Sequence, residues 1–367
     1  MTNDPRVSTG TPPPLSKSRL LVRFLAIAVV VLGLVGAFAY AGGWLTPSRL
    51  TPARFVDTFE QVNGAHPGFR RNHAKGICVG GYFESNGEGA RLSRAVVFER
   101  GRVPVVGRFA LAGGQPHAAD AAAAVRSMAV LFQLPNGEEW RTGMNNIPVF
   151  VVNTPEAFAD QMLASRPDPG TGKPDPAKMK AFLEHHPETA RALTLIKSQP
   201  LSSGFDNSTY NGLNAFRFVN AAGPSTPVRW SMVPVQPFAA ANAAPQPQDD
   251  KNYLFDALIA AVHKHPLQWH LVVTVGQPGD STSDPTLPWP ATREQVNVGT
   301  LTIDQVESEE DGPCRDINYD PLILPAGIEP SDDPLLSARS AVYSQSFTRR
   351  AGEPKQPSAV RPADVNK

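Results

Sequence analysis

Residues 70–83 read R-R-N-H-A-K-G-I-C-V-G-G-Y-F, with a lone histidine, His73, standing where a run of small and apolar residues begins. Imidazole is the side chain whose ordinary pKa lets it take up and return a proton near neutral pH. A base at the mouth of a buried strand needs something to face it, and two other stretches hold candidates. G-M-N-N-I-P-V-F-V-V at 143–152 sets two neutral hydrogen-bonding amides, Asn145 first, before a second buried-looking run, with Phe150 in that run and Phe158 beyond it. In P-S-D-D-P-L-L-S-A-R-S-A-V-Y-S-Q-S-F-T-R-R at 330–350, Arg339 and Tyr343 fall four apart, on one face of any helix formed there. Taken singly each has a plain reading: a core histidine, turn asparagines, a surface pair. His185, His186, His263, His265 and His270 have weaker claims, because no cysteine or carboxylate cluster completes a metal site beside them.

These residues must be positioned by elements that the hydrophobic pattern predicts. Alternating or short apolar runs predict strands at 76–83, 94–99, 104–110, 127–134, 147–152, 212–219, 227–235, 269–275 and 297–304. Helical spacing covers 155–164, 177–197, 253–264 and 333–349. A strand-rich body with interspersed helices predicts an α+β barrel in place of a parallel α/β sheet. The charged runs D-D-K at 249–251 and E-S-E-E-D at 307–311 read as solvated loops.

The chain has 367 residues, 41% of them hydrophobic, which suffices for one large core or two modest ones. Lys+Arg and Asp+Glu balance at 34 each, so nothing electrostatic argues for nucleic acid as a partner. Residues 1–23 read as a polar cytoplasmic tail, and 24–45 as an uncharged run from Phe24 to Leu45. At about 1.5 Å per residue that run spans roughly 33 Å, enough for a bilayer core. Arg19 and Arg23 lie before it, which places the tail inside and exports the remainder of the chain, as a single-pass inner-membrane protein with its body in the periplasm. The alternative is a signal peptide cleaved near A-F-A or A-Y-A within 37–41, releasing the body to the periplasm. Residues 46–60 read as a linker and 353–367 as a disordered tail, leaving 46–352 as the folded domain. Cys78 and Cys314 are too few for a disulfide framework; in an oxidising compartment they could pair, but Cys78 reads as a small core residue, so the pairing stays open with a lean towards no bond.

Four separate pieces, in chain order, resemble the haem catalase family across most of residues 50–352. They are H-A-K-G at 73–76 with Y-F-E at 82–84, R-F at 108–109, N-N-I-P-V-F at 145–150, and L-P-A-G-I-E-P-S at 324–331 leading into the helix of Arg339 and Tyr343. The length looks most similar to the small catalase-related peroxidases. That resemblance implies a catalase-like antiparallel barrel with surrounding helices, a b-type haem with its iron, and a peroxidase reducing hydrogen peroxide or organic hydroperoxides. It implies weak catalase activity and an electron donor the sequence does not name, and it leaves room for a homo-oligomer. By the same resemblance His73 and Asn145 are catalytic, Tyr343 ligates iron, and Arg339 holds the phenolate. Arg70, Arg108 and Arg350 would pair with haem propionates, and Phe150 and Phe158 would line the porphyrin. Ionising a free tyrosine costs about 4 kcal/mol at pH 7, which iron and the arginine one turn away would offset. A true catalase, a fatty-acid hydroperoxide isomerase and a haem-binding protein without turnover are the competing readings.

Two departures from the large catalases bear on activity. Those enzymes have a serine where this chain has Ala110, and a bulky aliphatic residue where it has Asn72. The expectation is a distal histidine without its hydrogen-bonded support and a wider, more polar approach, both favouring donor oxidation over dismutation.

Overall fold

The structure, a computed structural model, describes residues 16–46, 49–241 and 250–360, and divides into two units, Met1–Thr51 and Pro52–Lys367. In the first unit the apolar run forms helix α1 (Lys17–Ala41), with a mean hydropathy of 2.6 over its apolar window and no buried residue. It is long and apolar enough to cross a membrane. It begins before the predicted 24–45 segment, taking in Arg19 and Arg23, and stops at Gly42, followed by Gly43 at φ +74°. Of the predicted tail, residues 1–15 lie outside the described residues.

The second unit opens with helix α2 (Pro52–Asn63), where a linker was expected; Phe55, Val56, Thr58 and Phe59 form its buried face. Four antiparallel strands come after it: β1 (Gly76–Ser85), β2 (Gly101–Leu111), β3 (Arg126–Gln133) and β4 (Glu139–Asn145). Helices α3 (Pro155–Ala164), α4 (Pro176–His185) and α5 (Pro187–Ser198) come next, then β5 (Tyr210–Asn211), β6 (Phe216–Val219) and β7 (Ser225–Pro234). Helix α6 (Tyr253–Lys264), β8 (Leu267–Val275), β9 (Gln295–Glu307), β10 (Ile328–Pro330) and helix α7 (Pro334–Ala351) complete the described chain. The strands pair in the order β1-β2-β3-β4-β5-β7-β8-β9, and β9 returns to β1, closing an eight-stranded barrel with β6 and β10 added on β7.

Period-two alternation sorts the strands into an inner and an outer face. Ile77, Phe109, Met128 and Met144 are register partners across β1 to β4, all at most 1% exposed and part of the barrel core. The next row along, Gly76, Ala110, Ser127 and Asn145, points the other way. Only glycine fits at its first position, because a Cβ on Gly76 would collide with the Arg108 guanidinium.

Several expected elements differ. The run at 94–99 buries Ala95, Val97 and Phe98, but as a 3-10 turn at Val96–Phe98. Residues 147–152 form bends, and the ladder lies just before them in β4, where Trp140, Thr142 and Met144 are buried in alternation with Glu139, Arg141, Gly143 and Asn145. Of the predicted strand at 212–219 only β6 forms, and Leu213, at φ +66°, lies in the break between it and β5. The helix at 177–197 divides at Pro187, whose ring cannot continue α4 but starts α5. Of the predicted tail at 353–367, residues 353–360 are held in place, with Glu353 paired to Arg71 and Val360 fully buried, while 361–367 lie outside the described residues. Cys78 and Cys314 form a disulfide, with Cα atoms 5.3 Å apart, which decides a pairing that the sequence left open with a lean towards no bond. The bond fixes the turn at Pro313–Asp316 against β1.

Candidate functional site

A cavity of about 190 Å³ lies on the outward faces of β2 to β4, between them, α2 and α7. His73, Asn145, Arg70, Arg108, Phe150, Phe158, Arg339, Tyr343 and Arg350 all line it, so residues from four separate stretches of sequence meet in one place.

The strand wall is made by register. Ala110, Ser127 and Asn145 are direct cross-strand partners, and such neighbours carry their Cβ atoms about 4.5–5.5 Å apart. His73 reaches this row from the turn before β1. Its backbone adopts φ +55°, a left-handed conformation uncommon for a residue with a side chain. Asn72 holds that turn: its Oδ1 accepts from the backbone N–H groups of His73, at 3.0 Å, and Gly113, at 2.9 Å. The Asn72 carbonyl oxygen is thus committed to the backbone, and the residue acts first as a splint for His73.

The missing serine at position 110 has a counterpart one strand over. Ser127 Oγ lies 2.9 Å from His73 Nδ1 and donates its proton to Asn145 Oδ1. The expectation of an unsupported histidine is therefore wrong, because register places a hydroxyl from β3 where Ala110 offers none. Burial, then the charges of Arg108, Arg339 and Arg70, depress the His73 pKa from 6.5 to about 3, with a backbone hydrogen bond to Leu111 opposing in part. The imidazole that lines the cavity is therefore neutral at physiological pH.

The opposite wall is α7. Asp333 caps its N-terminus by accepting from the Leu335 N–H at 2.9 Å, and Pro334 occupies its first turn. Arg339 and Tyr343 lie one turn apart, with the guanidinium carbon 5.9 Å from the tyrosine ring centre. Arg339 Nη1 donates to Asn214 Oδ1, and Asn214 Nδ2 donates to the Asp333 carboxylate at 2.7 Å, tying the arginine to the helix cap. Gly143 on β4 supplies a bare floor beneath them: a Cβ there would sit 3.8 Å from the Tyr343 hydroxyl and 3.7 Å from Arg339 Nη2.

At the third side stand three arginines, one of them bonded to a carboxylate outside the lining. Arg108 donates through Nε and Nη2 to Glu309, at 2.7 and 3.0 Å. Arg70 Nη2 donates to the carbonyls of Cys314, at 2.8 Å, and Ile317, at 3.0 Å, while its buried Nε has no hydrogen-bond partner among the described residues. Arg350 donates to the Arg315 carbonyl. Burial and the neighbouring cations lower the Arg70 pKa to about 9. Burial pushes the Glu309 carboxyl up, but Arg108, Arg70 and Arg350 together hold it below its ordinary value. Glu309, with a side chain 12% exposed, is thus no solvated loop residue, contrary to the reading of 307–311.

Phe150 and Phe158 pack at 5.5 Å, and Phe158 also stacks on Phe55 of α2 at 5.8 Å. Sequence reasoning missed Phe55, Phe59, Ser127 and Glu309. The F-V-D-T-F spacing of α2 was a readable helical signal; Ser127 and Glu309 had none, since each acquires its role from a partner far away in the chain. Among the described residues no cluster of histidine, cysteine and carboxylate groups could hold a metal. Outside the cavity, His186 pairs with Glu188 at 2.8 Å and His270 with the Thr300 hydroxyl at 3.2 Å.

These residues fit haem. Arg70, Arg108 and Arg350 against Glu309 leave two positive charges in excess at a buried edge, which the two carboxylates of a porphyrin would neutralise. The unpartnered Arg70 Nε points to an acceptor still to be supplied. A phenol that a neighbouring guanidinium would favour as phenolate suits a ferric ion, and the aromatic and aliphatic lining suits a flat apolar ring.

The catalase family model matches residues 44–360. A catalase-related peroxidase of Synechococcus elongatus is 40% identical over 89% of this chain and 96% of its own length. One from Mycolicibacterium paratuberculosis is 34% identical over 83% of this chain and 96% of its own length. The crystal structure of a fungal catalase superposes with a TM-score of 0.70 over 82% of this chain at 20% identity; the match covers 62% of the fungal chain.

Proposed function

This chain belongs to the catalase family, and we propose that it is a haem-dependent peroxidase, reducing hydrogen peroxide or organic hydroperoxides with an external donor and releasing oxygen slowly. It is an oxidoreductase acting on peroxide, as the two catalase-related peroxidases, each matched over 96% of its own length, support. The observation that carries the mechanism is the meeting in one cavity of a neutral imidazole, an amide donor and an arginine-flanked phenol.

When bound, haem supplies the iron centre that takes two oxidising equivalents from peroxide. Tyr343 would hold the iron as phenolate, with Arg339 favouring the anion. Arg70 and Arg350 would take the porphyrin's acid groups, and Arg108 would share its guanidinium between them and Glu309. With both cysteines of the chain joined to each other, neither is left for a covalent porphyrin link, which supports a b-type group. His73 Nε2 would take the proton from the near oxygen of peroxide and pass it to the far oxygen, which leaves as water. Asn145 would hold the peroxide by its amide. Phe150 and Phe158 would exclude water from the ring.

Because Ser127 supports His73, the preference for peroxidase over dismutase rests on the relatives and no longer on Ala110. An oxygen electrode decides it: holoenzyme given hydrogen peroxide should release little oxygen, and turnover should rise when an aromatic donor is added. Vigorous oxygen release unaffected by donor would make the protein a true catalase. We further propose that α1 tethers an exported catalytic unit. Arg19 and Arg23 on its N-terminal side and a disulfide of the kind that persists in oxidising compartments support this reading. Fractionation of cells, with sequencing of the mature N-terminus, separates the tether from a cleaved signal.

A further inference from the structure

Ser127 has one proton and two polar neighbours, and the way it divides itself between them constrains both. Its hydroxyl donates to Asn145 Oδ1, so towards His73 Nδ1, 2.9 Å away, it can only accept. The imidazole must then carry its proton on Nδ1. In a neutral ring that leaves Nε2 bare as the base. At the other end, an Asn145 whose Oδ1 is occupied by Ser127 is left with its Nδ2 donors for the cavity it lines. One hydroxyl therefore sets the two polarities that cleavage of a peroxide needs: an acceptor beside a donor.

We propose that Ser127 is the positioning residue of this site, fixing His73 as the Nε2 base and Asn145 as the amide donor. The proposal rests on the peroxidase reading above. It differs from the arrangement that the missing serine at 110 would give. Positions 110 and 127 face each other across the β2–β3 ladder, so the support has moved one strand along the same outward row. From position 127 it is also the direct partner of Asn145, which couples base and donor through one group. Asn72 contributes independently by holding the His73 backbone, so the hydroxyl governs ring tautomer and tilt while the turn governs where the ring hangs.

The test uses full-length holoenzyme and two readouts. One is the rate of the single-turnover reaction with hydrogen peroxide. The other is the rate at which hydrogen cyanide binds the ferric haem, which also needs a base to take a proton but involves no turnover. Ser127→Ala should keep the haem spectrum and melting temperature and slow both rates by roughly tenfold. The KM for donor should not change. Adding Ala110→Ser to that variant returns a hydroxyl from the facing strand and should recover most of the lost rate. Should Ser127→Ala lose haem, Ser127→Thr carries the test: a retained hydroxyl should keep both rates within a few-fold of the parent. Ser127→Ala at the parent rate in both readouts overturns the proposal, as does a loss confined to peroxide while cyanide binding is unchanged. A parent protein that binds haem yet fails to react with peroxide would instead defeat the functional reading.

Discussion

The strand wall of the cavity gathers its polar groups from residues 73, 127 and 145, whereas the helix wall takes Arg339 and Tyr343 from a single turn of α7. The first is specified by ladder register and one strained turn, and its groups bond to one another directly. The second is specified by helical periodicity, and its arginine is braced by a cap through Asn214. The difference teaches where each wall tolerates change. A one-residue slip in β3 or β4 would turn Ser127 or Asn145 into the barrel, while the spacing of Arg339 and Tyr343 survives any shift that leaves α7 helical.

The largest effect should come from the helix wall. Tyr343→Phe keeps the ring and its packing but deletes the only phenol on α7 facing the cavity, so haem retention and turnover should collapse together while the barrel still folds. Retention of an unchanged visible spectrum would show that the metal ligand lies elsewhere.

Next comes the strand wall. His73→Ala removes the base and should slow the peroxide reaction roughly 10²- to 10⁴-fold, a range typical of general acid-base assistance. Asn145→Ala removes orientation alone and should cost less. Stopped-flow rates in the reverse order would mean that the amide, and not the imidazole, governs proton movement.

A third effect is confined to stability. The folded His73 pKa is depressed from 6.5 to about 3, so between those values the unfolded chain binds a proton that the native site refuses. This group's contribution is therefore full above pH 6.5 and lost as pH falls towards 3. Melting temperatures of the parent should fall over that window more steeply than those of His73→Gln. Parallel curves would show that the ring titrates freely.

The smallest effect should be that of Ala110→Ser alone. Ser127 already occupies the Nδ1 side of the imidazole, so a second hydroxyl on the facing strand should alter oxygen release by no more than a few-fold. A large rise would show that the two strands' hydroxyls are not equivalent supports.

Short-range patterns carried a good part of this molecule in the sequence alone. The apolar N-terminal helix, most barrel strands and α7 arise from periodicities of 3.6 and 2, and Arg339 and Tyr343 share a face because four residues make about one turn. The family motifs brought His73, Asn145 and the arginines into view as candidates. What the tertiary structure decided depends on partners distant along the chain. It joined Cys78 to Cys314 across a sequence separation of 236. It buried Glu309 among three arginines and gave the absent serine at 110 a substitute in Ser127. A propensity is a property of neighbours along the chain, but a hydrogen bond across a ladder exists only once register has been chosen, and register is set by the burial of the whole barrel.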